Sequence, residues 1–98
     1  MTSSQQILAI LTDGRQEISR RFGVKRLALF GSAARGELRD DSDVDVLVEF
    51  ESTTTFDGYF NLKDHLEALL GRTVDLVTDR GLKPRARRNV ERDLIRVA

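Results

Sequence analysis

Two aspartates one residue apart, Asp43 and Asp45, open an apolar run, Val44-Asp45-Val46-Leu47-Val48, and a Gly-Ser pair, Gly31-Ser32, precedes them with ten residues between Ser32 and Asp43. In a strand, residues i and i+2 point to the same face, so the two carboxylates project side by side at one end of a sheet. Carboxylates that close repel unless a cation lies between them or one takes up a proton. Where a phosphate must also be held, Mg²⁺ is the usual cation. A carboxylate pair alone reads most simply as a solvated loop or a helix cap. The glycine and serine change that reading, because a chance Gly-Ser-x10-Asp-x-Asp in a chain this short arises with a probability on the order of 10⁻³ at ordinary residue frequencies.

The elements that must position these groups follow from periodicity and stop signals. Ser3 with Gln6 resembles a capping box. Ile7, Leu8, Leu11, Ile18 and Phe22 recur at helical spacing, which predicts one amphipathic helix ending near Gly23. A first strand runs over Arg26–Phe30, residues 32–37 form a short helical turn, and residues 38–42 make a polar loop. The second strand is Val44–Phe50, with Val44, Val46, Val48 and Phe50 on a helix-covered face. Asp43, Asp45 and Glu49 lie on the other face, which is expected to stay open. After a Thr-rich loop, a helix from about Asp57 to Leu70 carries Tyr59, Leu62, Leu66 and Leu69 on one stripe, with Gly71 as its stop. Gly58 near its start is unfavourable there and argues for a later beginning. A third strand, Thr73–Thr78, places Asp75 on the face opposite Val74 and Leu76. Pro84 suits the first turn of a last helix with Ala86, Val90 and Leu94 as its buried stripe, and residues 95–97 run extended.

Composition bounds the functional classes. Ninety-eight residues make one domain, spanning 1–98, with a modest core and no room for a template- or acceptor-binding lobe. Sixteen basic and sixteen acidic residues cancel, which argues against binding long nucleic acid through a general field. Cysteine is absent, so disulfides and thiolate metal sites are excluded. No apolar stretch approaches membrane-spanning length and the N-terminus lacks a signal-peptide layout; the expectation is a cytoplasmic protein without membrane contact.

Gly31-Ser32, Ala34-Arg35-Gly36 and Ser42-Asp43-Val44-Asp45 together resemble the nucleotidyltransferase superfamily of DNA polymerase β, and specifically its minimal nucleotidyltransferases, the MNT proteins. The resemblance covers nearly the whole chain. It implies an α+β fold, a small mixed β-sheet with helices packed on one face, like a polymerase palm. It also implies a third carboxylate on a later strand, a place Asp75 fills in Thr73-Val74-Asp75-Leu76-Val77. By the same resemblance, Asp43 and Asp45 hold one Mg²⁺ that grips a nucleoside triphosphate. Those two with Asp75 hold a second Mg²⁺, and Asp75 is the general base. The substrate implied is ATP, the product AMP on a hydroxyl, and the partner a HEPN-domain toxin whose tyrosine is adenylylated, so that the MNT protein acts as antitoxin.

Around that core, Gly31 lets backbone approach the phosphates without a Cβ in the way, and Ser32 offers its hydroxyl and N–H to the β- or γ-phosphate. Arg35 has two readings, a phosphate ligand or a brace for the loop through Asp40 or Asp41. Gly36 is a turn residue and Ser42 orients the loop. His65 reads as a surface residue and Tyr59 as core; Glu49 lies too far along the strand to join the metals. Arg85, Arg87, Arg88, Arg92 and Arg96 give the C-terminal segment a basic flank, either a solvated face or a docking surface through Arg85, Arg88 and Arg92. Two other functions compete: transfer to a small molecule such as an aminoglycoside, which the missing helical domain disfavours, and a non-catalytic antitoxin acting by occlusion. Three mutually repelling carboxylates are hard to reconcile with a pure binder.

Overall fold

A computed structural model describes residues 3–98. Four strands form one sheet in the order β3-β2-β1-β4: β1 is Val24–Phe30, β2 Val44–Phe50, β3 Val74–Thr78 and β4 Ile95–Arg96. β1 pairs antiparallel with β2 and with β4, whereas β2 and β3 run parallel. A parallel pair cannot be joined by a tight turn and needs a crossover. The helix α4, Phe56–Leu70, supplies it. The remaining helices are α1 (Ser4–Asp13), α2 (Arg15–Phe22), α3 (Gly31–Arg35) and α5 (Pro84–Arg92). None of the helices among the described residues is long and apolar enough to cross a membrane.

Alternation along the strands sorts side chains onto two faces. Leu27, Leu29, Val44, Val46, Val48, Val74 and Leu76 pack with Ile7, Leu11 and Ile18 from α1 and α2, and with Leu62, Leu66 and Leu70 from α4. This is the main core. β1 would lose phase at its start without a bulge: Val24 pairs with Phe50 but Arg26 with Glu49, so Lys25 is an extra residue. The bulge turns Val24 into the core and sends Arg26 to the other side. On that second face the register lays out three rows. Phe30, Asp45 and Asp75 form one; Ala28, Leu47 and Val77 form the next. The third is ionic, with Arg26 beside Glu49 at 3.6 Å and Asp79 at 3.1 Å.

The middle row changes the expectation of an open face. Ala28 and Leu47 are buried with Val90 of α5, and Phe30, Val77, Leu82 and Leu94 pack around them. α5 therefore roofs the centre of the face, and the end bearing Asp45 and Asp75 is left uncovered. Ala86, assigned to the buried stripe, is exposed. Pro84 does open the helix, following Lys83 in extended conformation.

Two helices also depart from expectation. The predicted single N-terminal helix is two, broken at Gly14 (φ −93°, ψ 2°), which ends α1 and begins α2. Glycine is a weak helix former, and the Thr12 hydroxyl donates to the Leu8 carbonyl (2.7 Å) in the turn before the break. Such back-bonding bends helices. Ser3 and Gln6 do form the capping box at the start of α1. In α4 the Thr55 hydroxyl accepts from the Gly58 N–H (3.1 Å), and the helix begins before Gly58 rather than after it. A Cβ on Gly58 would lie 2.4 Å from the Thr54 hydroxyl, so a side chain there requires Thr54 to rotate aside. The buried stripe ends on Leu70, and Leu69 is 39% exposed. α4 also covers the outer edge of β3: Glu67 accepts the Val74 N–H (2.8 Å), and the Tyr59 hydroxyl donates to the Leu76 carbonyl.

Candidate active site

β1 delivers the chain to Gly31, whose φ of 65° lies in the left-handed region. The reason is a neighbour. A Cβ at this position would sit 2.2 Å from Asp45 Oδ2 and 3.1 Å from its Cγ, so the turn packs its backbone against the Asp45 carboxyl and any other residue would displace it. Ser32 follows in α3. Ala33, buried in the main core, pins the helix from beneath, and the left-handed Gly36 (φ 74°) ends it.

Asp45 and Asp75 are direct partners in the parallel β2–β3 register and share a face with the Gly31 turn. Asp45 is half-buried, while Asp75 and Asp43 are exposed. Burial pushes the Asp45 carboxyl up from its ordinary pKa; the Asp75 charge, a hydrogen bond with Asp75 and the Asp43 charge act in the same direction, against a smaller opposing pull from Arg35. Taking up a proton is one of the two ways that crowded carboxylates relieve repulsion, and binding a cation is the other. Asp43 stands at the end of the polar loop just before β2. Ser42 orders that loop, its N–H donating to the Arg39 carbonyl (3.1 Å) and its Oγ accepting the Arg39 N–H (3.2 Å).

Arg35 braces rather than projects, but with partners other than those expected. Its guanidinium meets Glu37 at 3.1 Å and Asp93, the C-cap of α5, at 3.1 Å, and not Asp40 or Asp41. Hydrogen bonds to Glu37 and Asp93 raise its already high pKa. His65 is half-buried, not a free surface group: its ring lies 5.1 Å from that of Phe22. Tyr59 packs on the core. Glu49 is occupied by Lys25 and Arg26. Of the C-terminal arginines, Arg87 is tied to Asp79 (2.8 Å), and Arg85, Arg88, Arg92 and Arg96 are exposed. A groove of about 650 Å³ lined by Phe50, Phe56, Tyr59 and Phe60 lies at the opposite ends of β2 and β3 from the aspartates. Glu49 and Asp79 also line it, but Arg26 bridges both carboxylates and no glycine is among the lining residues. One residue without a sequence signal enters the site: Arg72, which donates to the carbonyls of Arg39 and Ser42 beneath the Asp43 loop.

Among the described residues, no three acidic or histidine side chains converge into a ready-made cation cage. Mg²⁺ does not need one, since it is commonly bound by one or two carboxylates plus substrate phosphates. Asp45 and Asp75 on adjacent strands, with Asp43 just before β2 and Gly31, which lacks a Cβ, beside Asp45, fit that donor set.

The nucleotidyltransferase domain family matches residues 11–97. A protein from Thermococcus cleftensis named protein adenylyltransferase MntA is 42% identical over 97 residues, covering 99% of this chain and 98% of its own. A solved structure described as a minimal nucleotidyltransferase is 46% identical, with a TM-score of 0.75 over 90% of this chain and 93% of that one. The fold also matches, at 19% identity and a TM-score of 0.69, a complex of tri-AMPylated HEPN toxin with MNT antitoxin from Shewanella oneidensis, over 93% of this chain and 71% of that one.

Proposed function

Because the chain belongs to the nucleotidyltransferase domain family and is itself a nucleotidyltransferase, we propose that it transfers AMP from ATP to a tyrosine hydroxyl of a HEPN-domain toxin and thereby acts as its antitoxin. One observation carries the reading: Asp45 and Asp75 are register partners on adjacent strands, beside a glycine turn whose left-handed backbone packs on the Asp45 carboxyl.

The acceptor oxygen attacks the α-phosphorus in line, the bond to the bridging oxygen breaks, and pyrophosphate leaves. Little covalent work falls to the protein, which contributes position and charge. Gly31 and Ser32 hold the outer phosphates through backbone and hydroxyl. Arg35 tethers that turn to α5 and adds positive potential beside Asp45. Asp75, exposed at the mouth, takes the proton of the attacking hydroxyl. Asp43 and Asp45 would hold one Mg²⁺, and with Asp75 a second; bound there, Mg²⁺ neutralises phosphate charge and lowers the pKa of the acceptor hydroxyl. The uncovered end of the sheet supports delivery of the acceptor by a partner chain, whose surface excludes water as it closes the site.

The test is intact-mass analysis of the co-encoded partner after incubation with ATP and Mg²⁺. Addition of one or more AMP units, lost with Asp43→Asn, is the expected outcome. A partner that binds and is silenced but never gains mass would replace catalysis by occlusion.

A further inference from the structure

We infer that Arg72 is the positioning residue for Asp43. The Asp43 loop has little of its own to hold it in place. Residues 39–41 and Asp43 itself are exposed, so apolar burial does not hold this stretch in place. It also carries Asp40, Asp41 and Asp43 within four residues, next to Asp45 and Asp75. Left to itself, such a loop moves away from the acidic row.

Arg72 opposes that movement twice. Its Nη2 donates to the Ser42 carbonyl at 2.6 Å and also to the Arg39 carbonyl, closing the loop across its base. Both acceptors are main-chain oxygens, which fixes backbone and leaves the Asp43 carboxyl free. Its charge also lies beneath the acidic stretch. The next residue completes the clamp: the Thr73 carbonyl accepts the Val44 N–H at 3.0 Å. Asp43 is thus bracketed, Ser42 on one side held by Arg72 and Val44 on the other held by Thr73. Two residues further on stands Asp75. One short segment therefore sets the position of Asp43 and supplies Asp75, so the separation of the two carboxylates is built into residues 72–75.

Arg72 touches neither nucleotide nor acceptor in this scheme. Its catalytic consequence rests on the nucleotidyltransfer proposed above, whereas the clamp itself does not. The test compares Arg72→Met, which keeps the stem and removes the donors, with Arg72→Lys, which keeps the charge. Amide exchange of residues 40–44, Mn²⁺ affinity by calorimetry and AMP-transfer kinetics are measured on each. For Arg72→Met the expected results are faster exchange confined to the loop and Mn²⁺ affinity lower by about 10- to 100-fold, the range for residues that orient ligands from behind. The transfer kcat falls while KM for the partner is unchanged, and Arg72→Lys recovers part of each loss. Unchanged exchange and Mn²⁺ affinity in Arg72→Met would overturn the assignment. Should Arg72→Met fail to fold, Arg72→Lys decides: wild-type exchange, Mn²⁺ affinity and kcat together in that variant would overturn it. A wild-type protein that never transfers AMP, yet whose loop and Mn²⁺ affinity respond to Arg72→Met, would sink the proposed activity and leave the clamp standing.

Discussion

A carboxyl that holds its proton more tightly in the folded chain makes folding sensitive to pH. Asp45 does so, through burial first and then its neighbours Asp75 and Asp43. Its ionisation is a penalty on the folded state, fully present above the raised folded pKa and gone below the ordinary carboxyl value of roughly 4. Stability assigned to this residue therefore rises as pH falls through that window. Asp45→Asn is expected to melt higher than wild type at pH 7, with the gap closing toward pH 4, while transfer drops by about 10²-fold or more, the order lost with a single charge-stabilising group. Melting curves across pH, read as the difference between the two proteins, check the first part. Ser32→Ala is expected to weaken ATP binding by about 1–3 kcal/mol, the range for a hydrogen bond to a charged group. Gly31→Ala should do more harm, since its φ alone costs about 1–2 kcal/mol and its Cβ would displace the Asp45 carboxyl. Calorimetry with ATP and urea unfolding separate the two effects.

Among the elements, Gly14 gives the clearest forecast. A Cβ there meets only ordinary contacts, the nearest Ile10 O at 3.6 Å, and φ is negative. Gly14→Ala should stabilise the protein by about 0.4–1 kcal/mol by restricting the unfolded chain, measurable as a shifted urea midpoint. Leu66→Ala, at the centre of α4, should cost about 2–5 kcal/mol. The same elements show what a sequence can disclose. Strand β2 was legible to the residue, and Gly31, Asp43 and Asp45 stood out, because pattern and spacing there are local. The break at Gly14 was not, because Ile7, Leu11 and Ile18 keep helical phase straight through it. α5 as a roof was missed because Leu47 and Ala28, each single apolar residues among others, do not announce which face they cover. Arg35 with Asp93 and Arg72 with Ser42 are 58 and 30 positions apart. Nothing in local periodicity connects such pairs.

At the scale of the molecule, neutrality conceals polarity. Residues 80–98 carry seven basic side chains against two acidic, so the rest of the chain is correspondingly negative. Arg85, Arg88 and Arg92 are exposed on the helix that roofs the middle of the sheet face beside the site. If that flank docks the partner, Arg88→Glu with Arg92→Glu should slow association and remove most of its salt dependence, with the folded-state melt unchanged; surface plasmon resonance at two ionic strengths reads this directly. The way in which any partner is engaged is narrowed further by the outer strand. With the Val74 amide held by Glu67 and the Leu76 carbonyl held by Tyr59, two main-chain groups on the outer edge of β3 are already engaged, and at the other margin β4 is only two residues long. The sheet therefore offers a visiting strand an interrupted edge on one side and a very short one on the other. Both margins thus favour recognition spelled out in side chains, and they work against copies of the protein stacking edge to edge into fibres.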